Sequence, residues 1–365
     1  MTSPLSPLDD LPIHQIAEPV RHVATGDRNF YDRYYFNAFP EDGSLMLVTG
    51  MGQYPNLGVA DAFAVVNDGR VHRVVRASRE LGDRGDLSVG PFRIEVVEGL
   101  RRLRVVLEPN EHGLSFDLTW DGFDPAHLEP RHTDRAEHGR LIIDTCRLAQ
   151  TGRWTGTVRV GDDVHEVTPD RWLGSRDRSW GIRPIGEPEA PGIRGADPLP
   201  GFFWLYAPMQ FPDWAGYFVT QERPDGRRIL EEAARMPSFA AGGDGEPEPL
   251  GIPEHDLTFV EGTREIERAT LRLGEVKVEV TPLRRLHVGI GTGYGFDADW
   301  RHGMYQGPLV VQGKEFDLAN GTARANLWGL VDSVARFELE DGTVGHGLFE
   351  YLVMGPHERY GFAGW

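Results

Sequence analysis

Short runs in which apolar and polar residues alternate recur along this chain roughly every ten positions, the spacing of a many-stranded β protein. Phe92-Arg93-Ile94-Glu95-Val96, Arg102-Leu103-Arg104-Val105-Val106-Leu107 and Leu114-Ser115-Phe116-Asp117-Leu118-Thr119-Trp120 each present one apolar and one polar face when extended. Ala269-Thr270-Leu271-Arg272-Leu273 and Val276-Lys277-Val278-Glu279-Val280 repeat the pattern. Turn residues separate such runs: Asn67-Asp68-Gly69-Arg70, Gly161-Asp162-Asp163, Pro224-Asp225-Gly226 and Glu340-Asp341-Gly342 supply the positive φ of tight hairpin loops. The prediction is an all-β chain of antiparallel barrels or sandwiches. Helical periodicity is scarce, its best example being Ile229 to Arg235. Two stretches read as irregular: the proline-rich Pro184 to Pro200, a candidate boundary, and Ser238 to Pro253, a candidate surface loop.

A length of 365 residues exceeds one ordinary domain, so the boundary predicts halves at 20–190 and 191–365. With 45 Gly and 26 Pro, residues that punctuate strands and weaken helices, composition supports the β reading. The 40% apolar and 26% charged content is that of a folded protein. A net charge of −18 argues against non-specific nucleic-acid binding, which rests on Lys and Arg neutralising phosphates. Cys146, the single cysteine, has no disulfide partner within the chain and reads as a small buried hydrophobe. The start, Met1-Thr2-Ser3-Pro4-Leu5, lacks the basic and apolar segments of a signal peptide, and no long apolar run marks a membrane span. A cytoplasmic protein is the expectation.

Candidate chemistry concentrates between Arg171 and Tyr217. Arg176-Asp177-Arg178-Ser179-Trp180-Gly181, Phe203-Trp204-Leu205-Tyr206 and Asp213-Trp214-Ala215-Gly216-Tyr217 crowd hydrogen-bonding side chains among large aromatics. Such rings suit a pocket that grips an apolar ligand and can stabilise a developing cation. The plainer alternative is an ion pair beside an aromatic core. Asp177 is the first candidate acid, because neighbours on a strand point to the opposite face and leave it clear of its flanking arginines. Asp213 and Glu350, each beside aromatics, are alternatives. His302 and His346 are candidate proton shuttles or ordinary surface histidines, and without a third ligand no metal site is predicted. Gly289-Ile290-Gly291-Thr292-Gly293-Tyr294-Gly295 lacks the spacing of a dinucleotide loop and reads as a strand connection. The aromatic cluster Tyr31, Tyr34, Tyr35, Phe36 and Phe39 either seals the first half or lines the same cavity, sealing being preferred.

The run Arg-Asp-Arg-Ser-Trp-Gly-Ile-Arg at 176–183, followed by Phe-Trp-Leu-Tyr at 203–206, resembles the signature of AttH-like proteins, the superfamily that includes carotenoid hydratases (hydroxyneurosporene synthase) and tocopherol cyclase-like enzymes. Weaker echoes stand at Trp300 to Gly307 and Gly345 to Tyr351. The resemblance extends from about Phe30 through most of the chain and implies two lipocalin-like domains in tandem. It also implies hydration or cyclisation of apolar polyenes without a cofactor. Asp177, Trp180 and Gly181 match the motif. Arg178 stands where the family often carries His, and Ala207-Pro208 follow Tyr206 where a carboxylate is expected.

Two readings follow. One is an enzyme acting by acid/base or carbocation chemistry on an isoprenoid, steroid or polyketide-like molecule, with Asp177, Arg176 and Tyr206 as catalytic candidates. Trp180, Trp204, Trp214, Tyr217, His302, Tyr305, His346 and Glu350 would then line the pocket. The other is a non-catalytic carrier of a hydrophobic ligand, marked by a cavity into which no acid points.

Overall fold

The computed structural model describes residues 5–136, 139–185, 201–295, 297–320 and 329–364. The first strands are β1 (Phe30–Pro40), β2 (Met46–Tyr54), β3 (Val59–Asn67), β4 (Val71–Glu80), β5 (Ser88–Val89), β6 (Phe92–Glu98) and β7 (Arg102–Leu107). They continue as β8 (Leu114–Gly122), β9 (His127–Leu128), β10 (His132–Arg135), β11 (Leu141–Val160), β12 (Asp163–Val167) and β13 (Trp172–Ile182). The later strands are β14 (Phe202–Gln210), β15 (Trp214–Glu222), β16 (Arg228–Pro237), β17 (Glu248–Pro249), β18 (Pro253–Phe259), β19 (Ile266–Leu273) and β20 (Val276–His287). The chain closes with β21 (Leu309–Asp317), β22 (Val331–Leu339) and β23 (Val344–Met354). Among the described residues the only helical turns are the 3-10 segments Pro7–Asp10 and Phe239–Ala241, and no helix is long and apolar enough to cross a membrane.

Among the described residues all strand pairings are antiparallel and fall into two sheets. The first has fourteen strands in the order β21-β4-β3-β2-β1-β13-β11-β8-β7-β6-β5, with β9, β10 and β12 also on β11. It curls until β5 returns to β3 and β4, a nearly closed barrel. The second has nine strands in the order β17-β16-β15-β14-β23-β22-β20-β19-β18, a half-barrel. These are the predicted lipocalin-like units in tandem. Leu309–Asp317, late in the chain, nevertheless edges the first sheet beside β4. The predicted boundary at 190/191 lies outside the described residues.

Each predicted hairpin loop forms. Gly69, Gly161, Gly226 and Gly342 have φ of 89°, 60°, 80° and 84°, the left-handed region that L side chains avoid. Three apolar layers result. One fills the barrel, where Trp120 and Trp154 meet edge to face at 5.0 Å. A second lies between the sheets and a third inside the half-barrel.

Several expectations are corrected. Ile229 to Arg235 is strand β16, because pairing with β15 buries Leu230, Ala233, Ala234 and Met236 and tertiary context overrides helical preference. Ser238 to Pro253 is not wholly irregular: it holds the second 3-10 turn and β17. Cys146 is half-buried rather than core, since alternation along β11 gives the inward positions to Thr145 and Arg147. The early aromatic cluster divides by the same rule. Tyr34 and Phe36 pack inside the barrel, Tyr31 and Tyr35 face the second sheet, and Phe39 joins the layer between the sheets.

Candidate active site

A cavity of about 540 Å³ lies between the sheets. Its two walls differ because the strands facing it differ. The first sheet contributes mostly polar groups, Tyr31 and Tyr35 from β1, His132 from β10, Thr145 and Arg147 from β11, and Asp177 and Ser179 from β13, beside the apolar Ile143 of β11 and Phe316 of β21. The second contributes Phe202 and Trp204 from β14, Leu230 from β16, and Leu352 and Met354 from β23, with Glu350 as its inward carboxylate. The glycine-rich connection Gly289 to Gly295 closes one side, where a Cβ on Gly295 would sit 1.7 Å from the Gly289 carbonyl oxygen.

The register of β22 on β23 sets Asp332 directly opposite Glu350. Asp332 is wholly buried, and the Tyr35 hydroxyl donates a short hydrogen bond to its Oδ2. Trp204 Nε1 donates to Glu350 Oε1 at 2.6 Å. The two carboxyl groups stand close enough that each shifts the other, and two acids side by side favour the retention of a proton. Asp332 Oδ1 is buried and has no hydrogen-bond partner among the described residues. Burial first, then the Glu350 charge, pushes the Asp332 carboxyl well above its ordinary range. Burial raises Glu350 as well, opposed by the Trp204 bond and by Arg147.

Asp177 faces this pair from the first sheet. Burial raises its carboxyl, while Arg147, Arg183 and Arg33 pull it back down. Its remaining exposed surface opens on the cavity. Arg147 is held by Glu129 Oε2 at 2.5 Å, and its guanidinium carbon stands 4.2 Å from the Tyr206 ring and 5.1 Å from that of Trp204. His132 stacks on Trp204 with centroids 6.4 Å apart, and burial followed by Arg147 lowers it to about 4, so it is neutral near pH 7. The site thus offers a carboxyl pair that retains a proton, an opposing carboxylate flanked by arginines, and aromatic faces beside both.

Residues 5–363 match a family described as being of unknown function (DUF8625). The chain belongs to that family. No curated protein matches it by sequence. Among solved structures it is similar to a candidate AttH from Nitrosomonas europaea, with TM-score 0.53 and 14% identity over 94% of this chain and 98% of the other. It also matches kievitone hydratase from Nectria haematococca at TM-score 0.47 and 12% identity, over 88% of each chain. The AttH-like resemblance read from the sequence is therefore met in the fold, and at 14% identity the likeness extends to fold alone.

Of the residues singled out in this family member's sequence, Asp177, Trp204 and Glu350 line the cavity together. Tyr206 lies just behind, its ring against Arg147. The others sit elsewhere. Arg176 points into the barrel and donates to Gln150 Oε1 at 2.8 Å, and Trp180 shares that face of β13. Trp214 stacks on Phe211 at 4.4 Å, and Tyr217 donates to Asp124 Oδ2 at 2.5 Å. His302 accepts from Arg33 behind Tyr294, and burial followed by Arg33 and Arg183 keeps it well below its ordinary range, hence neutral. Tyr305 is exposed and donates to Glu80 at 3.2 Å, His346 is half-buried outside the cavity, and Asp213 is exposed in a turn. Asp332, Arg147, Glu129 and His132 escaped the sequence reading. The available signal was a charged residue inside an apolar strand run, as in Leu330-Val331-Asp332-Ser333-Val334.

Proposed function

We propose that the protein is a cofactor-independent enzyme that moves protons on an apolar isoprenoid, steroid or polyketide-like molecule, catalysing hydration, cyclisation or isomerisation. The observation that carries this reading is the Asp332–Glu350 pair, a proton-retaining carboxyl group presented to a cavity of ligand size. A carrier has no use for an inward acid whose burial must be compensated. The one proton held between Asp332 and Glu350 is delivered to the substrate by Glu350, the member of the pair that lines the cavity. Asp177, across the cavity, accepts a proton from the substrate or from an attacking hydroxyl, so the cycle is proton-neutral. The Trp204 and tyrosine faces stabilise positive charge developing on carbon, while the apolar wall of Phe202, Leu230 and Leu352 limits access of water.

The test incubates the protein with a panel of isoprenoids, steroids and polyketides in D2O and follows deuterium uptake by mass spectrometry. Solvent deuterium should enter a carbon position or a product, and the exchange should vanish in Glu350→Gln while native mass spectrometry still detects bound ligand. Bound compounds recovered unlabelled and unchanged from the wild type, or full activity in Glu350→Gln, would overturn the reading.

A further inference from the structure

On the opposite side of β1 and β13, a second cavity of about 190 Å³ opens in the mouth of the first barrel. Strand alternation sets the two back to back: Tyr35 and Asp177 face the large cavity, Tyr34 and Arg178 the small one. The charged residues lining the small one are Asp32, Arg84 and Arg178. Asp32 accepts from both cations, from Arg84 Nη2 at 3.0 Å and from Arg178 Nη1. One carboxylate therefore answers two guanidiniums, leaving one positive charge in a cavity of a chain whose net charge is −18.

Three further observations point to an anion. Burial lowers Arg84 and takes Arg178 down to about 10, as happens to cations removed from water without full compensation. Among the described residues Arg178 bonds through Nη1 alone, to Asp32 and to the Arg33 carbonyl at 3.4 Å, so Nε and Nη2 remain available. Deeper on the same face of β13, Arg176 is 3% exposed and its buried Nη2 has no partner among the described residues. The rest of the wall is the Tyr34 ring, the Gln53 amide, which accepts from Arg84 Nε at 3.3 Å, and four apolar side chains: Met51 and Leu87 from the barrel, Leu8 and Val20 from the N-terminal segment. That segment is pinned over the mouth, with Val20 N–H donating to Asp9 Oδ1 at 2.8 Å and Arg84 Nη1 donating to the Val20 carbonyl at 3.1 Å.

We propose that the barrel mouth binds a small amphiphilic monoanion, a medium-chain fatty carboxylate, with its head on Arg178 and Arg84 and its tail against Leu8, Val20, Met51 and Leu87. This site is separate from the acid-bearing cavity and does not depend on the chemistry assigned there. Calorimetric titration of the full chain with butanoate, hexanoate and octanoate, and with uncharged octanamide, tests it. Affinity should rise about fourfold per added methylene until the cavity is full. Octanoate should bind at least about tenfold more tightly than octanamide, the margin of one charge-assisted contact. Arg178→Gln should erase that margin, and Leu87→Trp, which fills the cavity without touching its charge, should block binding of every chain length. Glu350→Gln should leave octanoate binding as it was. Equal binding of octanamide and octanoate overturns the proposal, as does the absence of carboxylate binding. Loss in Glu350→Gln with retention in Leu87→Trp also overturns it, because the ligand then occupies the large cavity.

Discussion

Two buried carboxylate clusters occupy opposite faces of the second sheet. On the face toward the first sheet, Glu350 stands across from Asp332, so a second buried acid is its partner in the register. On the other face, Glu222 is bonded to His255 Nε2 at 2.8 Å and His357 Nε2 at 3.0 Å and forms an ion pair with Arg228, whose Nε lies 2.6 Å away. Burial alone would raise both sites. At Glu222 the bonds from His255 and His357 and the Arg228 charge outweigh it, holding the carboxyl well below its usual range. At Asp332 the neighbouring carboxylate adds to burial and the shift goes the other way. The difference lies in the partner rather than in depth. Glu222 is an anchor: His357, with Phe203 stacked 4.3 Å from its ring, ties the last residues of the chain to the sheet. At the Asp332–Glu350 pair burial favours the protonated form of both groups.

Removing each carboxylate breaks the comparison in a different observable. Glu350→Gln is expected to lower turnover by about 10²–10⁴-fold, the usual contribution of a positioned acid, with ligand affinity nearly unchanged. Steady-state rates on any substrate found by deuterium exchange check this. Glu222→Ala should instead cost about 2–4 kcal/mol of stability in urea unfolding, since it strands Arg228 and two buried histidine N–H groups. Its turnover per folded molecule should match the wild type. If turnover falls in Glu222→Ala and stability alone falls in Glu350→Gln, the roles are reversed.

The acid side of the comparison was partly legible in the sequence. Glu350 beside Phe349 and Tyr351, and Asp177 beside Trp180, were readable because carboxylates among aromatics are unusual within one segment. Hairpins were readable for the same reason: Asn67-Asp68-Gly69 and Glu340-Asp341-Gly342 carry their geometry locally. Asp332 was not. Its meaning comes from the register that sets it opposite Glu350 and from the Tyr35 hydroxyl, which reaches it from the far end of the chain. Arg176 and Trp180, by contrast, belong to the motif that prompted the family resemblance, yet alternation along β13 turns both away from the large cavity. A motif groups neighbours in sequence, whereas a strand separates them onto two faces.

The clusters should also respond to pH with opposite sign. A carboxyl raised in the folded state, as Asp332 is, contributes stability below its unfolded value near 3.9 that is lost as pH rises through the folded value. Asp332→Asn has nothing to lose there, so its stability relative to the wild type should climb from pH 5 to pH 8, by at most about 1.4 kcal/mol per pH unit. Glu222 is lowered, so its contribution is present above its unfolded value near 4.3 and disappears as pH falls further. The deficit of Glu222→Gln should accordingly be flat near neutrality and shrink only in acid. Urea midpoints collected across this range give both slopes. A difference that stays flat from pH 5 to pH 8 in Asp332→Asn would mean that Asp332 is ionised in the folded protein.

The smallest expected effect is also the most specific. The Tyr35 hydroxyl donates to Asp332 Oδ2 and so favours the ionised form of a group that otherwise holds its proton. Tyr35→Phe removes that donor and should raise the pKa of the pair further. An acid must be protonated to act, so activity declines as pH rises through its pKa, and the alkaline limb of the pH–rate profile should move to higher pH by less than about one unit. Maximal turnover should change by less than about tenfold. A purely structural role for Tyr35 predicts a loss of stability with the limb unmoved. A limb shifted downward would show that the hydroxyl accepts from Asp332 instead, and would place the shared proton on the Tyr35 side of the pair.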